Sequence, residues 1–214
     1  MRAVVFDCDG LLVDSRSAWM GALRDVARRH GVRFESGQAA SMLGGSAPEA
    51  VVLWERELGH ELDEAMVTAE IYDAVLVNVG GGLRAMDGAV ELLETLHGTR
   101  ALAIASNGSI ETVAASLRAA GIPDVFDVTV ALGGALRPKP EPDLYVEACR
   151  RLGEDPADAI AVEDSPRGAT AARRAGLSVV GVGDTKKLDA VCDVVVATLR
   201  AARLRVFLDD EVAR

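Results

Sequence analysis

Two aspartates separated by one residue follow the first apolar run of the chain. In the stretch AVVFDCDGLLVDS, residues 3–15, a short apolar segment ends at Asp7 and Asp9. A carboxylate beside apolar surroundings costs free energy unless a cation or hydrogen bonds compensate it. This placement therefore raises the question of what the two acids do at the end of a buried strand.

Three further segments carry polar residues at or beyond the end of an apolar run. Ser106 ends ALAIAS and Asn107 follows it, Lys139 lies in the loop after VFDVTVAL, and Glu163 and Asp164 end AIAVED. In an open parallel sheet, ligands bind beyond the carboxyl ends of the strands. We therefore expect these side chains to converge on one edge of a sheet.

This set of residues suits phosphoryl transfer. Several carboxylates together repel each other, and a hard divalent cation with oxygen ligands relieves that repulsion, which favours Mg²⁺. One carboxylate can attack phosphorus, and a second can act as general acid and base. A lysine, a serine hydroxyl and backbone N–H groups can hold the phosphoryl oxygens.

The elements that must position these residues alternate between apolar strands and amphipathic helices. That alternation predicts an α/β fold with a doubly wound, parallel, Rossmann-like core. The segment from 15 to 82 breaks the alternation with three helical patterns and ends in Gly80-Gly81-Gly82, a predicted flexible joint. We predict a core formed by residues 1–14 and 83–214, an inserted all-helical cap formed by residues 15–82, and an amphipathic helix at the end of the chain.

The chain resembles the haloacid dehalogenase-like superfamily, in particular its magnesium-dependent phosphatases with a helical cap. DCDGLLVDS is similar to the first motif of that family and SNGS to the second. Lys139 within RPKPEPDLY is similar to the third, and VEDSPRGATAARRAGL to the fourth. The four motifs occur in order over nearly the whole chain, although Pro138 stands where the family often has glycine.

The resemblance implies a role for each matching position. Asp7 would be the nucleophile and a metal ligand, and Asp9 the general acid and base that lends its backbone carbonyl to the metal. Phosphate would be bound by Ser106, the Asn107 backbone and Lys139. The metal would also be bound by Asp164 and, directly or through water, by Glu163. The implied activity is hydrolysis of a phosphomonoester of a small metabolite, with sugar phosphates as candidates, through an aspartyl phosphate.

Two alternatives to a phosphatase remain open at this point. A β-phosphoglucomutase-like phosphosugar mutase would use the same nucleophile. Such enzymes, like many sugar phosphatases, carry a histidine where this chain has Trp19, and they use basic cap residues, of which this chain keeps arginines such as Arg33. A non-catalytic phosphate-binding or signalling module is a third possibility, which the intact Asp7, Asp9 and Asp164 disfavour. Trp19 and Ser46 are candidates for reading the substrate, although Trp19 could equally belong to the core.

Charge and composition limit the partners. The formal net charge is −10, which disfavours a broad electrostatic interaction with nucleic acid or an anionic membrane. The three cysteines lie far apart without a C-x-x-C pair, which indicates reduced thiols. With neither a signal-peptide pattern nor a long apolar span, we expect a cytoplasmic monomer or weak homodimer whose partner is a small phosphorylated metabolite.

Overall fold

The computed structural model describes residues 3–33, 44–201 and 204. Six parallel strands form one sheet in the order β3-β2-β1-β4-β5-β6. The strands are β1 Ala3–Phe6, β2 Ala101–Ser106, β3 Val128–Ala131, β4 Ala159–Glu163, β5 Ser178–Val182 and β6 Val194–Val196. The strand order reverses on either side of β1, which places the end of β1 at the switch point where α/β sheets bind ligands.

Eight α-helices surround or cap this sheet in the described part of the chain. They are α1 Arg16–Arg29, α2 Ala47–Leu58, α3 Glu64–Val79, α4 Ala89–Leu96, α5 Ile110–Ala119, α6 Asp143–Leu152, α7 Pro166–Ala175 and α8 Thr185–Leu188, with a 3₁₀ turn at Pro156–Asp158. The doubly wound α/β core with an inserted helical cap is as predicted. The predicted strand VFDVTVAL is too long, since only Val128–Ala131 pair with β2.

The two faces of the sheet bury different kinds of side chains. Val4 and Phe6 of β1 point to one face, where the large apolar residues of α4 cover them. Ala3 and Val5 point to the other face, where small side chains from β2 and β4 allow α6 and α7 to approach closely. The resulting core fixes β1 on both faces and against both neighbouring strands, so the residues that follow it have a rigid base.

The cap packs around its own apolar centre. Leu23 and Val26 of α1, Val51 and Trp54 of α2 and Ile71 of α3 form one buried cluster. Ser46 begins α2 with a complete capping box, in which its side chain accepts from the Glu49 N–H and Glu49 accepts from the Ser46 N–H.

Two chain segments connect cap and core, and they run side by side. The Asp14 N–H donates to the Arg84 carbonyl at 2.9 Å, and the Met86 N–H donates to the Leu12 carbonyl at 2.9 Å. Gly80–Gly82 continue as a turn at the end of α3, where the Gly80 N–H donates to the Leu76 carbonyl. The proposed domain limits at 14/15 and 82/83 stay a prediction, and most of the predicted C-terminal helix lies outside the described residues.

Among the described residues, no helix combines the length and apolar character needed to cross a membrane.

Candidate active site

The candidate active site is a cavity of about 590 Å³ between the carboxyl edge of the sheet and the cap. Asp7, Asp9, Ser106, Asn107, Lys139 and Asp164 all line it. The predicted convergence of four strand ends therefore occurs. Glu163 is the exception, because its side chain is fully buried beneath this surface.

Asp7 and Glu163 share one ammonium group. The Lys139 Nζ lies 2.6 Å from Asp7 Oδ1 and 2.6 Å from Glu163 Oε1. Lys139 itself is only 2% exposed, so both ion pairs are shielded from water. Burial lowers the pKa of the Lys139 ammonium, but the two carboxylates together outweigh it and raise that pKa above its usual range. Lys139 therefore stays charged and fixes the two acids.

Four donors hold the carboxylate of Glu163 in place. The Tyr145 hydroxyl donates to Oε1 at 2.7 Å beside Lys139, and the Ser165 hydroxyl and N–H donate to Oε2 at 3.1 and 3.3 Å. Gly168 of α7 lies directly against this group, and a Cβ at that position would overlap the carboxylate. The site thus depends on Tyr145 and Gly168, which the sequence reasoning did not single out.

Asp9 is held by the beginning of the cap. Its Oδ1 accepts from the Ser15 hydroxyl at 2.6 Å and from the Trp19 indole N–H at 3.0 Å. Its Oδ2 lies 3.5 Å from the Ser106 hydroxyl. Trp19 also packs edge-to-face on Tyr72, with ring centroids 6.1 Å apart, so it is both a packing residue and a donor to the site.

Ser106 and Asn107 order the loop after β2. The Gly108 N–H donates to the Ser106 hydroxyl at 3.0 Å, whereas Ser109 begins the next helix, so Ser106 is not the helix cap. The Asn107 side chain accepts from the Lys139 N–H at 2.9 Å and donates to the Gly44 carbonyl at 3.1 Å. Asn107 therefore links the lysine loop to the cap.

Three carboxylates lie close enough to share a cation. Asp7, Glu163 and Asp164 each offer an oxygen, and these oxygens all lie within 4.8 Å of one another. Burial, with Glu163 and Asp164 adding to it and Lys139 opposing it, raises the pKa of Asp7 well above its usual range. Burial and the charge of Glu163 raise the pKa of Asp164 to about 7. One ammonium facing three acids leaves negative charge that a hard cation with oxygen ligands would neutralise, so the donor set fits Mg²⁺.

Backbone geometry lets Asp164 approach the first loop. Gly10 has φ +90°, and a Cβ there would lie 2.5 Å from Asp164 Oδ2. Only glycine combines that left-handed conformation with the required space. The first and fourth motifs therefore meet at this glycine.

One ion pair joins the cap to the core across the cavity. Arg167, at the start of α7, donates to Glu49 Oε2 at 2.6 Å and to the Lys139 carbonyl at 3.0 Å. Glu49 also accepts from the Ser46 N–H in the capping box of α2, so the same carboxylate serves the cap helix and the contact with the core. The sequence showed the capping box but carried no signal for the contact with Arg167.

The protein belongs to the class of capped hydrolases that act on phosphate esters. The features of this class are a parallel α/β core with a helical cap and a buried lysine between acids at the switch point. Residues 1–176 match the family model described as haloacid dehalogenase-like hydrolase. The chain belongs to that family, as its four motifs predicted.

Two relatives at 32% identity are named as phosphatases. The chain is 32% identical to validoxylamine A 7'-phosphate phosphatase of Streptomyces hygroscopicus subsp. limoneus over 194 residues, covering 90% of each chain. It is 32% identical to hexitol phosphatase A of Escherichia coli (strain K12) over 204 residues, covering 92% of this chain and 91% of the relative. The family and these relatives confirm the prediction of an enzyme of the phosphoric monoester hydrolase type.

Solved structures share the fold. A β-phosphoglucomutase from Clostridium difficile superposes with a TM-score of 0.88 at 19% identity, covering 100% of both chains. CbbY from Rhodobacter sphaeroides, solved in complex with phosphate, superposes with a TM-score of 0.80 at 26% identity, covering 93% of this chain and 95% of that one. At 19% identity the first of these likenesses supports the fold with its cap and does not favour a mutase.

Proposed function

We propose that the protein is a magnesium-dependent phosphatase that hydrolyses a phosphomonoester of a small metabolite through an aspartyl phosphate on Asp7. The observation that carries this proposal is the contact of Lys139 with Asp7 inside a cavity that also contains Asp9. A buried ammonium 2.6 Å from the attacking carboxylate can also hold a phosphoryl oxygen, which is the charge neutralisation that phosphoryl transfer requires.

In the first step, an oxygen of Asp7 forms a bond to phosphorus as the bond from phosphorus to the leaving oxygen breaks. Asp9 gives its proton to that leaving oxygen. In the second step, Asp9 takes a proton from water, whose oxygen attacks phosphorus and releases Asp7 and inorganic phosphate. Ser15 and Trp19 hold Asp9 Oδ1 as an acceptor, which orients the acid toward the cavity.

The Mg²⁺ ion would be held by Asp7 and Asp164 with the Asp9 carbonyl. When bound, it would supply charge neutralisation for the transferring phosphoryl group. Glu163 accepts from four donors, and this saturation supports a role in fixing Lys139 over direct coordination of the ion. Ser106, the Asn107 backbone and Lys139 would bind the phosphoryl oxygens.

The names of the relatives support a phosphatase of sugar-like metabolites and suggest the first substrates to test. They include hexitol phosphatase A and fructose-1-phosphate phosphatase YqaB, both of Escherichia coli (strain K12). A phosphosugar mutase is less well supported, because the two relatives at 32% identity are both named as phosphatases.

Phosphate release tests this proposal directly. Wild-type protein with Mg²⁺ is expected to release phosphate from a panel of sugar phosphates, polyol phosphates and p-nitrophenyl phosphate. Asp7→Asn, which keeps the shape of the side chain but lacks a nucleophilic carboxylate, is expected to show only background release. EDTA is expected to stop wild-type activity and added Mg²⁺ to restore it.

Two results would contradict the proposal. Normal turnover by Asp7→Asn would exclude Asp7 as the nucleophile, and full activity in EDTA would exclude the metal. If neither protein releases phosphate from any ester, a sugar-phosphate isomerisation assay with a bisphosphate activator tests the mutase instead.

A further inference from the structure

The cap side of the cavity differs in chemistry from the core side. On α1, Trp19, Met20 and Leu23 line the cavity, at spacings that place them on one face of the helix. On α2, Ala50, Val52 and Leu53 also line it. We call these six residues the apolar wall.

The apolar wall includes side chains that packing within the cap leaves partly exposed. Leu53 is 41% exposed and its neighbour Val52, which also lines the cavity, is 37% exposed. By contrast, Val51 and Trp54 on the same helix are buried in the cap centre. Helix α2 therefore has two apolar faces, one packed inside the cap and one turned to the cavity.

Polar side chains on the described cap side already take part in hydrogen bonds. Ser46 and Glu49 bond to each other in the capping box, and Glu49 also pairs with Arg167. The indole N–H of Trp19 is used by Asp9. A hydroxyl placed directly against the apolar wall would find no acceptor in those side chains, because they are apolar apart from the Trp19 indole, which only donates; an unsatisfied buried group costs about 1–3 kcal/mol.

Two cap arginines complete this lining. Arg16 and Arg56 are exposed, and the described contacts give neither of them an ion-pair partner. A guanidinium only donates, so it cannot accept from a hydroxyl. The arginines suit an acceptor or an anionic substituent at the far end of a ligand.

From these observations we infer that the substrate's leaving group presents an apolar ring face or chain to the apolar wall, with any hydroxyls turned away from it. The inference rests on the proposed function, because Asp7 and Lys139 fix where the phosphoryl group binds. The cavity of about 590 Å³ lies within the range of about 300–1,000 Å³ for small-molecule sites and exceeds what a phosphate alone needs. The remaining space lies between the apolar wall and the core.

Binding of non-hydrolysable phosphonates tests the inference independently of turnover. Benzylphosphonate and 3,4-dihydroxybutylphosphonate are similar in size and differ in whether the body is apolar or carries hydroxyls. Calorimetry on the full-length wild-type chain with Mg²⁺ is expected to show benzylphosphonate binding about tenfold more tightly, since a few buried CH groups suffice for that ratio.

Substitutions in the apolar wall sharpen the test. Leu53→Gln is expected to remove the preference for benzylphosphonate and leave the affinity for dihydroxybutylphosphonate unchanged. Met66→Gln is the matched control, because Met66 is 52% exposed on α3 and does not line the cavity. It is expected to leave both affinities unchanged. If Leu53→Gln lowers the melting temperature markedly, Val52→Thr tests the same surface with a side chain of the same shape.

The outcomes separate the two proposals. Equal affinities, tighter binding of the dihydroxybutyl compound, or a preference that survives both Leu53→Gln and Val52→Thr would overturn the apolar wall as a specificity surface, even if phosphate release is normal. A benzyl preference that depends on Leu53, in a protein that releases phosphate from no ester, would support the apolar wall and contradict the phosphatase.

Discussion

The core side and the cap side of the cavity are built by different means. On the core side, Asp7, Lys139 and Glu163 are buried and bonded to one another, and Tyr145 and Ser165 complete the bonds to Glu163. On the cap side, partly exposed apolar side chains face the cavity. The core side fixes charges where a phosphoryl group would react, whereas the cap side leaves room for the rest of a substrate.

This contrast implies different tolerance to change on the two sides. Removing one partner of a buried ion pair leaves an uncompensated charge, which is strongly destabilising. Exchanging an exposed apolar residue on the cap side leaves no buried charge behind. We therefore expect core-side substitutions to affect both folding and chemistry, and cap-side substitutions to affect substrate choice.

The largest effect on stability is expected from Gly168→Ala. The added methyl group would overlap the Glu163 carboxylate, whose four donors hold it in place. We expect the free energy of unfolding to fall by about 3 kcal/mol, the upper end of the range for overpacking a filled site. Urea denaturation measures this, and phosphate release is expected to fall with it because Lys139 loses a partner.

Gly133→Ala is the matched control for this substitution. A Cβ at Gly133 meets nothing within 4 Å, so this variant is expected to unfold like the wild type. A Gly168→Ala variant as stable and active as Gly133→Ala would show that Glu163 can shift at little cost, contrary to the rigid core side described here.

A smaller effect on thermal stability is expected from adding Mg²⁺, and its size depends on pH. The pKa of Asp164 is raised to about 7 and that of Asp7 is raised well above its usual range, so protons compete with a metal below neutral pH. In the apo protein, raised carboxyl pKa values favour the native state at low pH and lose that advantage as pH rises through about 7. Added Mg²⁺ binds the deprotonated acids, so the gain in melting temperature is expected to be larger at pH 8 than at pH 6.

Calorimetric melting with and without Mg²⁺ at the two pH values measures this difference. Asp164→Asn is expected to remove most of the gain, because it removes one of the carboxylates that would hold the ion. A gain that is the same at pH 6 and pH 8 would contradict competition between protons and metal at these acids.

How much of the site could be predicted from the sequence also differs between the core side and the cap side. The predicted site residues belong to short motifs at or beyond strand ends, and a parallel sheet brings strand ends together. They are Asp7, Asp9, Ser106, Asn107, Lys139, Glu163 and Asp164. The motif pattern could therefore predict which residues meet. It could not predict that Tyr145 bonds Glu163 or that Gly168 makes room for it, because these contacts depend on how α6 and α7 pack on the sheet.

The cap was predictable as helices but not as a surface. Periodicity and the capping box at Ser46 indicated α1, α2 and α3. Which apolar face turns to the cavity depends on the packing of the cap on the core, and a helix with two apolar faces does not reveal this in its pattern. Trp19 shows the same limit, since it packs on Tyr72 and also donates to Asp9.

The smallest effect is expected where the two sides meet, at the ion pair of Glu49 and Arg167. Their side chains are about one-third exposed, at 36% and 33%, so water screens the pair. Glu49→Gln keeps the capping box, which glutamine also completes, and removes only the charge. The coupling free energy in a double-mutant cycle with Arg167→Gln is therefore expected to be about 0.2–1 kcal/mol.

Chemical denaturation of the wild type, both single variants and the double variant gives this coupling. The pair of Arg28 and Asp25 on α1, which joins no two parts of the molecule, is the reference, and its coupling is expected to be similar. A coupling well above 1 kcal/mol for Glu49 and Arg167 alone would mean that the contact between cap and core is as tightly held as the buried core side. The cap would then resemble a fixed wall of the site, and the division between a rigid chemical side and a tolerant substrate side would have to be drawn within the cap itself.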